Sequence, residues 1–138
     1  MSWYENIIIS WIGRKEENVK QIAIDFLQKE EQREEFELST MTSYVLAQLA
    51  NGNSFLQGQK GNMVVCGGVS NYTSGHTIMN ELLPFFKELK NNDCFWNNSN
   101  IICFSQSEQQ NDVDITILNC NTLEIKEITT KEWCWQEE

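Results

Sequence analysis

Apolar and polar residues alternate along this chain in two rhythms, one of period two and one of period three to four. From Tyr4 to Trp11, β-branched and aromatic residues dominate up to Gly13, which predicts a strand. Its run Ile7-Ile8-Ile9 predicts a central strand covered on both faces, or nearly so. From Lys15 to about Gln32, Val19, Ile22, Ala23, Phe26 and Leu27 recur at spacings of three and four, the mark of an amphipathic helix. Glu16 and Glu17 fall in its first turn, where negative charge complements the helix dipole. A short strand is expected over Phe36 to Leu38. Ser39 or Thr40 then caps a second helix with Met41, Tyr44, Val45, Leu46 and Leu49 on its apolar side, ended by Asn51-Gly52-Asn53.

Asn53 to Asn62 is polar and glycine-containing and reads as a loop. Met63 to Cys66 reads as a buried strand that turns across Gly67 and Gly68 into a loop over Val69 to Gly75. A third helix is expected from Thr73 or Ser74, with Ile78, Met79, Leu82, Leu83, Phe86 and Leu89 along one face. Pro84 interrupts that face; lacking an N–H, it is expected to kink the helix. Strands follow at Ile101 to Ser105 and Val113 to Asn119, joined by a loop over Ser107 to Asp112. A third run, Leu123 to Thr129, comes after a hairpin turn at Cys120-Asn121-Thr122. This order predicts an α+β fold: a mainly antiparallel sheet of four to five strands with two to three helices packed on one face. A split βαβ, ferredoxin-like arrangement is one way to build it.

The 138 residues, 41% of them hydrophobic, fit a single domain spanning 1–138. No apolar run reaches the roughly 20 residues of a membrane span. No basic stretch precedes Ile7, so no export signal is expected and a cytoplasmic location follows. The five cysteines lie outside any CxxC or zinc-finger spacing and read as reduced thiols. A formal net charge of -10 argues against direct nucleic-acid binding and favours a basic protein partner.

The candidate chemistry lies in four places. Cys66 to His76 is a glycine turn running into a helix start, where Gly67, Gly68, Ser74 and His76 suggest anion or nucleotide binding, although the segment has neither Walker nor GxGxxG spacing. Cys66 and His76, the only histidine, suggest a nucleophile and its base if they meet; a buried, inert thiol is the simpler reading. Glu30, Glu31, Glu34, Glu35 and Glu37 gather at the end of the first helix, where negative charge opposes the dipole and like charges repel, so they are either plainly solvated or matched by a partner. Trp133 and Trp135, two apart in an acidic tail, have the makings of an interface anchor or of a last core strand. Neither a metal site nor a cofactor site is indicated, and oligomeric state is not legible.

The function these features favour is a non-enzymatic inhibitor that masks a basic surface of another protein. An immunity protein for a bacterial nuclease toxin and a phage-encoded inhibitor are examples of that class. Its expected interface comprises the five glutamates and the two tail tryptophans. The alternative is a small anion- or nucleotide-binding domain built on Gly67 and Gly68.

Overall fold

The computed structural model describes residues 4–35, 37–58, 61–71, 73–96, 99–107 and 113–130. Among them lie strands β1 (Tyr4–Gly13), β2 (Phe55–Gly58), β3 (Gly61–Asn71), β4 (Asn100–Ser107), β5 (Val113–Asn119) and β6 (Ile125–Thr130). Helices α1 (Glu16–Glu31) and α2 (Thr40–Asn51) connect β1 to β2, and α3 (Gly75–Glu81) and α4 (Leu83–Asn91) connect β3 to β4. The strands form one sheet in the order β2-β3-β1-β4-β5-β6, with every neighbouring pair antiparallel. β1 and β2 are therefore parallel with β3 between them, and β3 and β4 are parallel with β1 between them. The split βαβ connection is thus made twice, and β5 and β6 extend it as a meander. The α+β class holds, with more strands and helices than the periodicity suggests.

The helices cover one face of the sheet. Val19, Ile22 and Ala23 of α1, Val45, Leu46 and Leu49 of α2, Ile78 and Met79 of α3 and Phe85, Phe86 and Leu89 of α4 are all buried. They pack on Ile7, Ile9, Trp11, Val64, Cys66, Ile101, Cys103 and Leu118 of the strands, forming one core. Trp11 meets Phe86 edge-on at a centroid distance of 5.8 Å, an arrangement favoured by the ring quadrupoles. No helix among the described residues is long and apolar enough to cross a membrane.

Several local expectations change. Ile8 is 52% exposed while Ile7 and Ile9 are buried, so β1 is central in the sheet but, among the described residues, covered on one face only. Residues 37–38 form no strand; the N–H groups of Glu37 and Leu38 turn back to the Glu30 carboxylate instead. The loop expected over Asn53 to Asn62 contains β2, which pairs with β3 in a hairpin. β3 itself runs on past Cys66 to Asn71, so Gly67 and Gly68 are mid-strand residues paired with Ile8 and Ile7. Pro84 divides the third helix rather than kinking it. Leu82 is at once the C-cap of α3 and the N-cap of α4, and Pro84 stands at the start of α4, where its missing N–H costs no hydrogen bond.

Candidate functional site

The end of α1 is built around one buried carboxylate. Glu30 Oε1 accepts from the backbone N–H groups of Glu37 and Leu38 at 2.7 and 2.9 Å, and its Oε2 accepts from Arg33 at 2.9 Å. These donors hold the Glu30 carboxyl below the usual carboxylate range, the backbone N–H of Leu38 contributing most. Arg33 also reaches Glu37, at 2.7 Å. Two of the five glutamates therefore fasten the turn between α1 and α2. Glu31, Glu34 and Glu35 are exposed and form no ion pair among the described residues. Across the turn, Glu81 of α3 accepts from Ser39 N–H and the Thr42 hydroxyl, tying the start of α2 to the end of α3.

The residues of the glycine segment separate. Gly67 and Gly68 sit on β3 at φ 140° and 154°, conformations that residues with a side chain rarely adopt. A Cβ on Gly67 would stand 2.0 Å from the Ile7 carbonyl oxygen, so backbone approach accounts for a glycine there. Ser74 caps α3 by accepting from Thr77 N–H at 3.2 Å. The His76 imidazole lies 3.6 Å from Glu127 of β6, three strands beyond β1 on the side opposite β3. Cys66 is therefore not brought to His76. The Cys66 thiol is buried beside Ile9, and burial, with Cys103 nearby, pushes its pKa up. Burial also pushes Cys103 up to about 12. Neither thiol is set up to ionise near neutrality.

Beside Gly67 the free edge of β3 is closed by a side chain. The Gln48 carboxamide of α2 accepts from Gly67 N–H at 2.9 Å and donates to Gly67 C=O at 2.8 Å, reproducing the paired bonds of a neighbouring strand. A cavity of about 680 Å³ flanks this latch, lined among others by Tyr44, Asn51, Val65 and Val69.

A polar row lies at one end of the covered face. Glu5, Ser70, Ser105 and Ser107 are all buried. Burial, together with the nearby Asp114, raises the Glu5 pKa, against an opposing hydrogen bond from Ser105. Glu5 Oε2 and Ser70 Oγ have no hydrogen-bond partner among the described residues.

The uncovered face of the sheet is the largest feature that periodicity alone does not single out. β1 presents Ile8 and Ile12 there, β3 Met63 and Val69, β4 Phe104 and β6 Ile128, each between 40% and 64% exposed. Cross-strand register aligns Ile8 with Phe104, Phe104 with Ile115 and Ile115 with Ile128. The next row sets Ser10 beside Val65 and Ile102, then Ile117 and Lys126. Among the described strand positions on this face, Lys126 is the single charged residue. Asn6, Asn71 and Gln106 lie towards one end of the strands, with Asn100 and Asn119 at the other. The sequence signal for it was the isoleucine run together with Ile115 and Ile117, which alternate with polar residues turned inward.

Trp133 and Trp135 lie outside the described residues. Comparison of the chain with protein-family models, with curated proteins and with solved structures found no match.

Proposed function

We propose that this chain is a non-enzymatic protein-binding domain whose acidic α1 end masks a basic surface of its partner. The observation that carries the reading is the division of labour among the glutamates. Glu30 and Glu37, with Arg33, hold the turn, leaving Glu31, Glu34 and Glu35 exposed beside it without ion pairs among the described residues. Carboxylates at a helix C-terminus oppose the dipole, so local stability does not favour them, whereas a basic partner would. A nuclease or toxin with a positive active-site cleft suits such a surface, because complementary charge speeds encounter and selects register. Immunity proteins and phage-encoded inhibitors are the functional class this describes.

The test is stoichiometric capture of a basic protein by the full chain from its native cell. Capture should weaken between low and high salt, since a Debye length shrinks from about 30 Å at 0.01 M to about 3 Å at 1 M. Replacing Glu31, Glu34 and Glu35 together by Lys should abolish it while the thermal unfolding of the chain is unchanged. Capture that is indifferent both to salt and to the triple replacement would refute the reading.

A further inference from the structure

From the open face of the sheet we infer that the chain associates with a second copy of itself, sheet against sheet. This does not depend on the acidic-end reading, because the face lies opposite the helices and contains none of the five glutamates.

Size supports it. Six strands at about 4.8 Å spacing span roughly 24 Å, and about eight residues at about 3.3 Å each span roughly 26 Å. The projected area is on the order of 600 Å² before side-chain relief is added, close to the roughly 800 Å² per partner of a stable interface. Composition supports it too. The centre is apolar, with Ile8, Phe104, Ile115 and Ile102 side by side, while the amides of Asn6, Asn71, Gln106, Asn100 and Asn119 mark the ends. An apolar centre with a polar rim is the anatomy of a specific contact. Apolar residues that sit together on one exposed face, rather than scattered singly, mark an interaction surface.

Charge selects the occupant. The chain carries a net charge of -10, yet no described strand position on this face is acidic, so a basic partner would find no carboxylate there to pair with. A second copy brings the same uncharged centre, buries no carboxylate from these strands, and leaves both acidic helix ends outside. Lys126, on the edge strand, can extend its ammonium group to water past the rim. A two-fold axis makes the contact self-complementary, and sheets packed in this way lie about 10 Å apart.

Sedimentation velocity of the full chain between about 1 and about 100 µM tests the inference. The mass should rise from one chain to two, and the dimer should strengthen with salt as the repulsion of two acidic chains is screened. Basic-partner capture has the opposite salt response, so either reading can fail alone. Ile8→Glu with Phe104→Glu should weaken the dimer at least ~30-fold, whereas Gln28→Glu, exposed on α1 on the opposite side of the sheet, should leave it unchanged. In the unaltered chain, radical oxidation of Met63 should fall as concentration rises through the dimerisation range. A single-chain mass throughout, or Met63 oxidation independent of concentration, overturns the inference. Equal weakening by Gln28→Glu overturns it as well.

Discussion

Ile8 and Ile9 are neighbours in sequence, identical in chemistry and opposite in fate. Ile9 is fully buried beneath the helices, while Ile8 is half exposed on the other side of the same strand. The faces they stand on differ in an unexpected direction. The covered face carries the buried polar row of Glu5, Ser70, Ser105 and Ser107, whereas the centre of the open face is apolar apart from Ser10. Within that row the neighbouring strand supplies a hydroxyl, Ser105 donating to Glu5. An uncovered face has only water, so its apolar surface makes sense once something else lies against it. An isoleucine run thus reports a preference for burial without saying whether the same chain satisfies it.

The largest test of that contrast is truncation on the two sides. Ile9→Ala should destabilise the chain by about 2–4 kcal/mol, through lost transfer energy and the cavity left behind. Ile8→Ala should cost less than about 1 kcal/mol in dilute solution, where its side chain is already half in water. Urea unfolding of both variants at low concentration measures the difference, and equal losses would mean that the open face is covered within the single chain.

Next in size is the glycine pair, whose members face opposite sides of the sheet. Gly67→Ala would set a Cβ against the Ile7 carbonyl in addition to an unfavourable φ, whereas Gly68→Ala meets only the ends of Met41 and Tyr44. The first should cost about 2–3 kcal/mol and the second nearer 1 kcal/mol, consistent with the usual cost of strained backbone. Thermal unfolding ranks them. This pair also shows where the sequence was legible and where it was not. The amphipathic period of α1 and the Ser39 and Ser74 caps could be read because they depend on neighbours within a turn. The continuation of β3 through two glycines depends on close approach to β1, which lies some sixty residues earlier, so local punctuation suggested a turn. The short β2 was hidden likewise, since its pairing with β3, rather than its composition, makes it a strand. Of the acidic cluster, the charge was legible, but the burial of Glu30 was not: its partners are backbone N–H groups seven and eight residues away.

Acid and base titration should then divide two carboxyls of the helix-covered side. Glu30, held below its ordinary value, stabilises the fold above the unfolded carboxylate range, and that contribution is lost as pH falls through its lowered folded value. Glu5, raised by burial, has the reverse sign: its contribution is full below the unfolded value and is lost as pH rises through its raised folded value. Glu30→Gln should therefore lower the unfolding midpoint at neutral pH and flatten the acid limb. Glu5→Gln should raise the neutral midpoint by a smaller amount and flatten the profile just above the carboxylate range. Midpoints measured from pH 3 to 8 decide both, and a fall at neutral pH for Glu5→Gln would place an ionised, well-solvated carboxylate there instead.

The smallest effect belongs to the edge where the two faces meet. Gln48→Ala removes two hydrogen bonds to Gly67, but water can replace them at an exposed edge, so the loss should be about 1 kcal/mol. Its larger consequence lies in the pairing behaviour of β3. With the latch gone, residues 67–71 present unpaired backbone groups beside an uncharged apolar face, the combination that invites strand-to-strand association. Light scattering on warming should show earlier aggregation of Gln48→Ala than of the parent chain at equal unfolded fraction. Gln48→Glu, which keeps an acceptor for Gly67 N–H and adds a charge at the edge, should suppress that aggregation while recovering little of the stability. If both variants aggregate alike, association runs through the open face alone, and the edge plays no part in holding the two surfaces of this sheet apart.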